Sequence, residues 1–424
     1  MNFSSASLRI RKRLSRPAFV CNRRLGRLVL ARAVSRVGTN ATATVVLLNL
    51  AHATGSPAAV GLLGGLEAPA VIIFGLYGGH LSDRLDRQRL AVRLDVAMFL
   101  LVTVLVVNAV LARHALAVLY VVPVAVTALA TVQGAALDAV IPRVVPTEDL
   151  TAASRWLSSS SRLGAIAGPL LGAAMYTTSG PGWAYGLDAV SYLLSALLLA
   201  GLPAVPAAAQ ATYSIMRSLA DGLGYVRSRT DLIGSYLADL AAMTLASPQV
   251  LLPFLGVELG AGSGAGALFA AEAAGALAMA ILGGWTRRVS RIGLGVLLAS
   301  LGYGLAVSLL AVVPSLLAAV AVLAVAGSCD LLSVVFRDTM WNQSIPDKVR
   351  GRVAGVESVS YGLGAPLGTL LLGLLASASS PRTAAAVGGL SCALTVGAIA
   401  VTLPALARYK SRALAISAEA PEPG

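Results

Sequence analysis

Charge is the scarcest property of this sequence. Of 424 residues only 12% are Asp, Glu, Lys or Arg, against roughly 25% in a soluble globular domain. Most of the surface must therefore face something other than water. The three cysteines, Cys21, Cys329 and Cys392, are widely spaced and odd in number, which argues against a disulfide framework and against a metal site. His52, His80 and His114 fall at or beyond the ends of apolar runs, so no buried histidine proton relay is expected. The phosphate-binding pattern G-x-x-x-x-G-K-[ST] is absent, which disfavours ATP drive within the chain. Neither a cluster of catalytic residues nor a stretch sized for a soluble sensing domain is visible, so neither an enzyme, a receptor nor a cofactor is expected. The basic N-terminal stretch lacks a following short apolar region with a cleavage site and reads as a retained cytoplasmic tail.

What the chain has in abundance is apolar residues. They make up 57% of it, and the mean hydropathy is +0.80. A spanning helix needs about 20 mostly apolar residues, which leaves room for about a dozen. Apolar runs occur at 28–51, 58–80, 91–112, 115–137, 154–177, 183–203, 232–256, 264–284, 292–312, 315–336, 354–377 and 383–404. The expected fold is an all-α polytopic membrane protein of twelve transmembrane helices. Very short links, such as Ala53 to Pro57, make antiparallel neighbours.

The net charge of +13 could suggest nucleic acid, but its placement argues otherwise. With the N-terminus inside, the inner segments carry 27 Lys and Arg and the outer loops only Arg113 and Arg382. This is the positive-inside asymmetry that sets membrane topology, and anionic lipids of the inner leaflet attract such residues. Both termini are expected in the cytoplasm, with the protein in the inner (plasma) membrane. The expected organisation is a basic tail over 1–27, a six-helix bundle over 28–203, a linker over 204–231, a second six-helix bundle over 232–404 and a C-terminal tail over 405–424. Within the linker, Tyr213 to Arg229 has an amphipathic pattern that suits a helix lying on the membrane surface.

The two halves repeat each other in parallel. Glu67 and the Gly78-Gly79 pair recur at one spacing as Glu272 and Gly283-Gly284. Asp138 precedes Pro146 as Asp338 precedes Pro346, and Gly168-Pro169 is matched by Ala365-Pro366. In transporters built from such halves, the substrate site lies between them near the midplane.

Two stretches carry recognisable motifs. The stretch from Gly79 through Asp83, Arg84, Arg87 and Arg89 to Leu90 resembles the major facilitator signature G-x-L-a-D-r-x-G-r-k-x-l, with Asp86 in place of the second glycine. An aspartate there can accept hydrogen bonds from a neighbouring helix N-terminus, whose dipole favours an anion. The arginines can form ion pairs that hold the cytoplasmic side shut. The plainer reading is a basic loop. The equivalent after the eighth span, Gly284 to Arg288, has lost its aspartate. Gly164, Gly168, Pro169 and Gly172 resemble the antiporter motif G-x-x-x-G-P-x-x-G-G, whose small residues let helices pack closely. A third drug-antiporter motif places an arginine three residues before a Gln-Gly pair. Gln133-Gly134 is present, but position 130 is alanine, so that arginine's role in proton transfer does not carry over.

With further strings such as Leu187-Asp188-Ala189-Val190-Ser191-Tyr192, these features resemble the drug:proton antiporter subgroup that includes the enterobactin (siderophore) exporter and macrolide efflux proteins. The resemblance covers about residues 25–405. It implies the major facilitator fold and proton-driven export of a small amphiphilic molecule. The partners it implies are that molecule, protons and membrane lipids, without nucleic acid, and the protein is expected to be a monomer. The rival is a facilitator importing a sugar or organic acid, which the 5% aromatic content disfavours mildly.

Ionisable groups near mid-bilayer cost about 2.5–3.5 kcal/mol or more and are functional candidates by default. Glu67 lies about ten residues into the second span and Glu272 about eight into the eighth. A carboxyl held there can take a proton from one side and release it to the other. Asp239 and Asp330 are alternative coupling groups, and all four could instead be packing residues. Arg36, Asp239 and Asp330 could all face the cavity, and whether Arg36 pairs with an acid there is left open by the sequence. Arg32 can snorkel, while Asp95, Asp138, Arg162 and Asp188 read as structural.

Overall fold

The computed structural model describes residues 23–111, 115–145, 150–205, 215–260 and 266–411. Among them there is helix and no strand. Six helices come first: α1 (Arg23–Thr54), α2 (Pro57–Arg84), α3 (Arg87–Val110), α4 (Val118–Val144), α5 (Leu150–Ser179) and α6 (Pro181–Ala200). A linker helix, α7 (Ile215–Arg227), follows. Then come α8 (Thr230–Leu245), α9 (Leu252–Glu258), α10 (Gly266–Leu282), α11 (Ile292–Leu309), α12 (Leu316–Ser344), α13 (Asp347–Ala378), α14 (Pro381–Thr402) and the short α15 (Pro404–Ala407). The tails and the start of the linker lie outside the described residues.

Local chemistry sets the starts. Ser56, Ser315 and Ser380 each accept a hydrogen bond from the backbone N–H three residues on, at the heads of α2, α12 and α14, which satisfies donors a helix start leaves orphaned. Pro57, Pro181 and Pro381 occupy first-turn positions, where a missing N–H costs nothing. Gly180, with φ of 85°, turns the chain between α5 and α6 in the left-handed region that glycine tolerates.

Among the described residues eight helices are long and apolar enough to cross a membrane, nine if the pair α8 and α9, bent by 45°, is one span. The three other apolar runs fall on α1, α5 and α13, of 32, 30 and 32 residues, each long enough to cross. Large apolar side chains such as Leu100, Val121, Leu197, Leu394 and Val401 point outward, as a lipid-facing surface requires.

The seventh run is not one continuous helix, contrary to the expectation for 232–256. α8 stops at Leu245, a turn of 3₁₀ helix spans Pro248–Val250, and α9 restarts at Leu252. Pro248 and Pro253 lack the N–H groups an unbroken helix would use. The tenth run also differs, because α12 continues through Arg337 to Ser344 instead of ending at 336.

Packing repeats between the first and last six long elements. α1 packs on α5 and α6, as α8 packs on α13 and α14. The α2–α4, α3–α4 and α3–α6 contacts have counterparts in α10–α12, α11–α12 and α11–α14. Across the two groups, α2 meets α13 and α5 meets α10. These crossings are tight at the end away from the basic segments. Gly61 of α2 faces Gly373 of α13, where a Cβ would lie 3.0 Å from the partner Cα, and Gly266 of α10 abuts Ala173 of α5.

Two such approaches join α10 to α12. A Cβ on Gly275 would strike the Ala324 carbonyl, and one on Gly327 would strike the Glu272 carbonyl. Overfilling such a contact costs about 1–3 kcal/mol. Gly275→Val should lower the thermal unfolding midpoint of the purified protein by several degrees. Gly397→Ala, where nothing lies within 4 Å, should leave it unchanged, and equal midpoints for the two variants would refute this packing.

Candidate functional site

The intramembrane charges sit on helix seams. Glu67 of α2 accepts a hydrogen bond from Thr127 of α4 at 3.2 Å. Its repeat counterpart Glu272 of α10 receives Gln249 Nε2 on both oxygens, at 3.3 and 3.2 Å. Gln249 belongs to the 3₁₀ turn that breaks the seventh span, so the break delivers a donor to the glutamate. The spacing that matches Asp138 with Asp338 also matches Thr127 with Gly327 and Ala130 with Asp330. The position that lacks the antiporter arginine in α4 thus holds a carboxylate in α12.

Around that carboxylate the later helices gather acids. Asp330 is exposed and lies within electrostatic range of Glu272, Asp239, Arg337 and Arg162. Glu357 on α13 lies within range of Arg337, Asp239 and Arg162. Glu67 and Glu272 therefore do not exhaust the glutamates of the charged interior.

Arg337 is the residue that reading the sequence missed. It was counted with the loop after span ten, yet it is 1% exposed inside α12. Its guanidinium lies 2.7 Å from the Asp239 carboxylate of α8 and over the ring of Trp341, 5.5 Å from the centroid. Trp341 stacks on Tyr236 with centroids 4.5 Å apart and donates to Ser235 at 2.9 Å. The available signal was the buried stripe Ser333, Arg337, Met340, Trp341 and Ser344, which keeps helical spacing beyond the apolar run. The equivalent helices of the first half are also joined by an ion pair, Arg32 of α1 with Asp138 of α4 at 2.9 Å.

Asp239 thus pairs with Arg337, and Arg36 pairs with no acid among the described residues. A pairing depends on how α8 and α12 meet, which sequence position alone does not encode. One ion pair joins the two halves directly: Arg162 of α5 with Asp338 of α12. Asp95 of α3 is fully buried and accepts from Gln133 of α4 and from Ser195 of α6, the latter at 2.7 Å. That engages the glutamine of the Gln-Gly pair. Asp188 is also fully buried and accepts from Ser191 at 3.2 Å.

In the signature stretch, Asp86 accepts from the Arg89 backbone N–H at 2.9 Å. The aspartate that replaces the usual glycine therefore caps α3. The Arg87 side chain reaches the Ala139 carbonyl of α4 at 3.5 Å, while Arg84 and Arg89 are exposed. The side chains at Gly79 and Asp83 lie outside the described residues. In α5, Gly164, Gly168 and Gly172 lie against Arg36, Val37, Asn40 and Ala41 of α1, and in α13 Gly364 and Gly368 lie against Met243, Thr244 and Ser247 of α8. The antiporter-like glycines thus seat α5 on the helix bearing Arg36, and Pro169 lies within the same stretch of α5.

Leaving one member of a buried ion pair unpaired costs about 3–5 kcal/mol, whereas replacing both by apolar groups is far cheaper. Arg337→Met should sharply reduce the thermal stability of the purified protein, and adding Asp239→Leu should restore much of it. A double variant no more stable than Arg337→Met would show that the pair is not what holds α8 to α12.

The sequence and the fold have known relatives. Residues 21–424 match the family described as transmembrane secretion effector. Enterobactin exporter EntS of Escherichia coli O1:K1 is 28% identical over 383 residues, covering 90% of this chain and 92% of the relative. EntS of Citrobacter koseri matches to the same extent. Among solved structures, a POT family transporter in complex with 5-aminolevulinic acid aligns with a TM-score of 0.70 at 11% identity, over 91% of this chain and 97% of that one. A bacterial homologue of the lysosomal transporter Spinster, inward-facing and unoccupied, aligns with a TM-score of 0.65 at 15% identity, over 91% and 95%. The chain has the major facilitator fold and belongs to the transmembrane secretion effector family of that superfamily.

Proposed function

We propose that this protein is a secondary active exporter that moves a small amphiphilic molecule out of the cell in exchange for protons. The observation that carries the direction is the likeness to enterobactin exporters over 90% of the chain. The substrate is a siderophore, an antibiotic or a drug-like compound, and the protein acts as a monomer in the inner membrane. The basic end of the bundle faces the cytoplasm, with both termini there. Residues 28–203 and 232–404 form two six-helix bundles related by a pseudo-twofold axis, and the 204–231 linker rests on the inner membrane surface.

Transport proceeds by rocking of these bundles. Glycine contacts close the outer ends of the α2–α13 and α5–α10 seams. At the inner end the direct charge contact between bundles is Arg162–Asp338, and Asp138 has 63% of its side chain exposed. This arrangement suits loading from the cytoplasm. Protons are carried by Glu67, Glu272, Asp239 or Asp330, with Glu272 and Asp330 favoured by their mutual proximity. Gly79, Asp83, Arg84, Arg87 and Arg89 form the cytoplasmic latch.

Cells expressing the gene should accumulate less of a fluorescent amphiphile drawn from a dye panel than cells lacking it, and a protonophore should abolish the difference. Higher accumulation with the gene would reverse the direction to import. In proteoliposomes, a Glu→Gln or Asp→Asn change at the coupling carboxylate should abolish uphill efflux while leaving folding and binding intact, because an amide keeps the hydrogen bond but cannot cycle a proton. Wild-type pumping by both Glu67→Gln and Glu272→Gln would make the glutamates structural. Asp83→Asn should impair efflux at near-normal expression, and unchanged efflux would reduce the signature stretch to a topology signal.

A further inference from the structure

The guanidinium groups inside the helical bundle fall into two kinds. Arg32, Arg162 and Arg337 each hold a carboxylate: Asp138, Asp338 and Asp239. Arg36 holds none among the described residues, although it lies 13 residues into the 32-residue α1. The elements around it explain why. On its own helix, one turn earlier, stands Arg32, a like charge within electrostatic range. On α4 the acid within range is Asp138, and Arg32 already engages it at 2.9 Å. On α6 stands Tyr192, whose hydroxyl is bonded to Thr39 at 2.8 Å. α5 meets Arg36 with Gly164, where a Cβ would lie 2.6 Å from the arginine Cβ, so the stem of Arg36 is pinned against a bare backbone. Of the charged groups Arg32, Arg36 and Asp138, one positive charge is therefore left over, on Arg36.

An unpaired charge held away from bulk water is costly, and Arg36 is nonetheless partly accessible. A planar guanidinium presents a fork of donors that fits a carboxylate or another oxyanion, and such charge-assisted bonds are about twice as strong as neutral ones. In the second half the balance is reversed: Asp330, Glu272 and Glu357 lie around Arg337 and Arg162, which Asp239 and Asp338 already hold. We propose that Arg36 is the docking point for an anionic group on the exported molecule, so that the substrate class is an acidic amphiphile. The proposal rests on the export reading for its ligand. It divides the labour between the halves: the first binds the anionic substrate, and the second holds the proton-carrying acids.

Three probes sharing one fluorophore test it: dansylglycine, which is anionic, dansylamide, which is neutral, and dansylcadaverine, which is cationic. Each is titrated against purified full-length protein in phosphatidylcholine nanodiscs at neutral pH, without a gradient. The wild type should bind dansylglycine about tenfold or more tightly than dansylamide, a difference of about 1.4 kcal/mol. Arg36→Gln should bring the two within about twofold, and Arg36→Lys should keep part of the preference, a rescue that a purely structural arginine would not produce. Absence of an anion preference in the wild type overturns the proposal whether or not the variants fold, as does a preference that survives Arg36→Gln. Tightest binding of dansylcadaverine would move the ligand to the acids of the second half and also overturn it. Displacement of dansylglycine by phosphatidylglycerol built into the nanodisc would assign the pocket to a lipid headgroup instead of the substrate. An anion preference lost in Arg36→Gln, in a protein that fails to lower dye accumulation in cells, would support the anion site while discarding the export reading.

Discussion

Close approach of helix backbones is the constraint on which this structure depends. Between helices in lipid there is no strong hydrophobic drive, because the surrounding tails are as apolar as leucine. Association must come from packing and from polar contacts, and both need short distances. The chain has 43 glycines, and several stand where helices cross. Gly164, Gly168 and Gly172 seat α5 on α1, Gly364 and Gly368 seat α13 on α8, and Gly275 and Gly327 bring α10 onto α12. The polar contacts follow from these approaches. Gly275 and Gly327 set α12 against α10, where Glu272 meets Gln249 of the 3₁₀ turn, and from α12 the long side chain of Arg337 reaches across to Asp239 of α8.

The same geometry separates the two halves in chemistry while keeping them alike in shape. Most helix contacts of one half have counterparts in the other. The charges differ. α1 and α4 are tied by an arginine on α1 and an aspartate on α4, and α8 and α12 are tied by the opposite assignment. Ala130 stands where the second half has Asp330. The first half leaves Arg36 without a carboxylate among the described residues, and the second gathers Glu272, Asp330 and Glu357 beyond the acids that Arg337 and Arg162 hold.

Much of this was legible in the sequence, for reasons that are themselves physical. Lipid forces apolar runs of a set length, so the positions of the long helices could be read directly, and the recurrence of Glu67 as Glu272 and Asp138 as Asp338 exposed the repeat. Gly164 and its neighbours announced a close helix contact, although not that α1 was the partner. Arg337 escaped because hydropathy treats an arginine at the edge of an apolar run as loop, whereas Asp239 and the Trp341 ring make its burial tolerable. Whether Arg36 has a partner was not legible for the related reason that a partner is chosen by three-dimensional neighbours. The break in the seventh span was written in Pro248 and Pro253, but a single apolar run hid it.

That break has a mechanical consequence. α1 is an unbroken rod of 32 residues, about 48 Å long at 1.5 Å per residue, while its counterpart is jointed at the 3₁₀ turn with a 45° change of direction. The two bundles are therefore matched in form and mismatched in stiffness. Gln249 in that joint grips both oxygens of Glu272. A change in the charge of that carboxylate is thus applied directly at the joint.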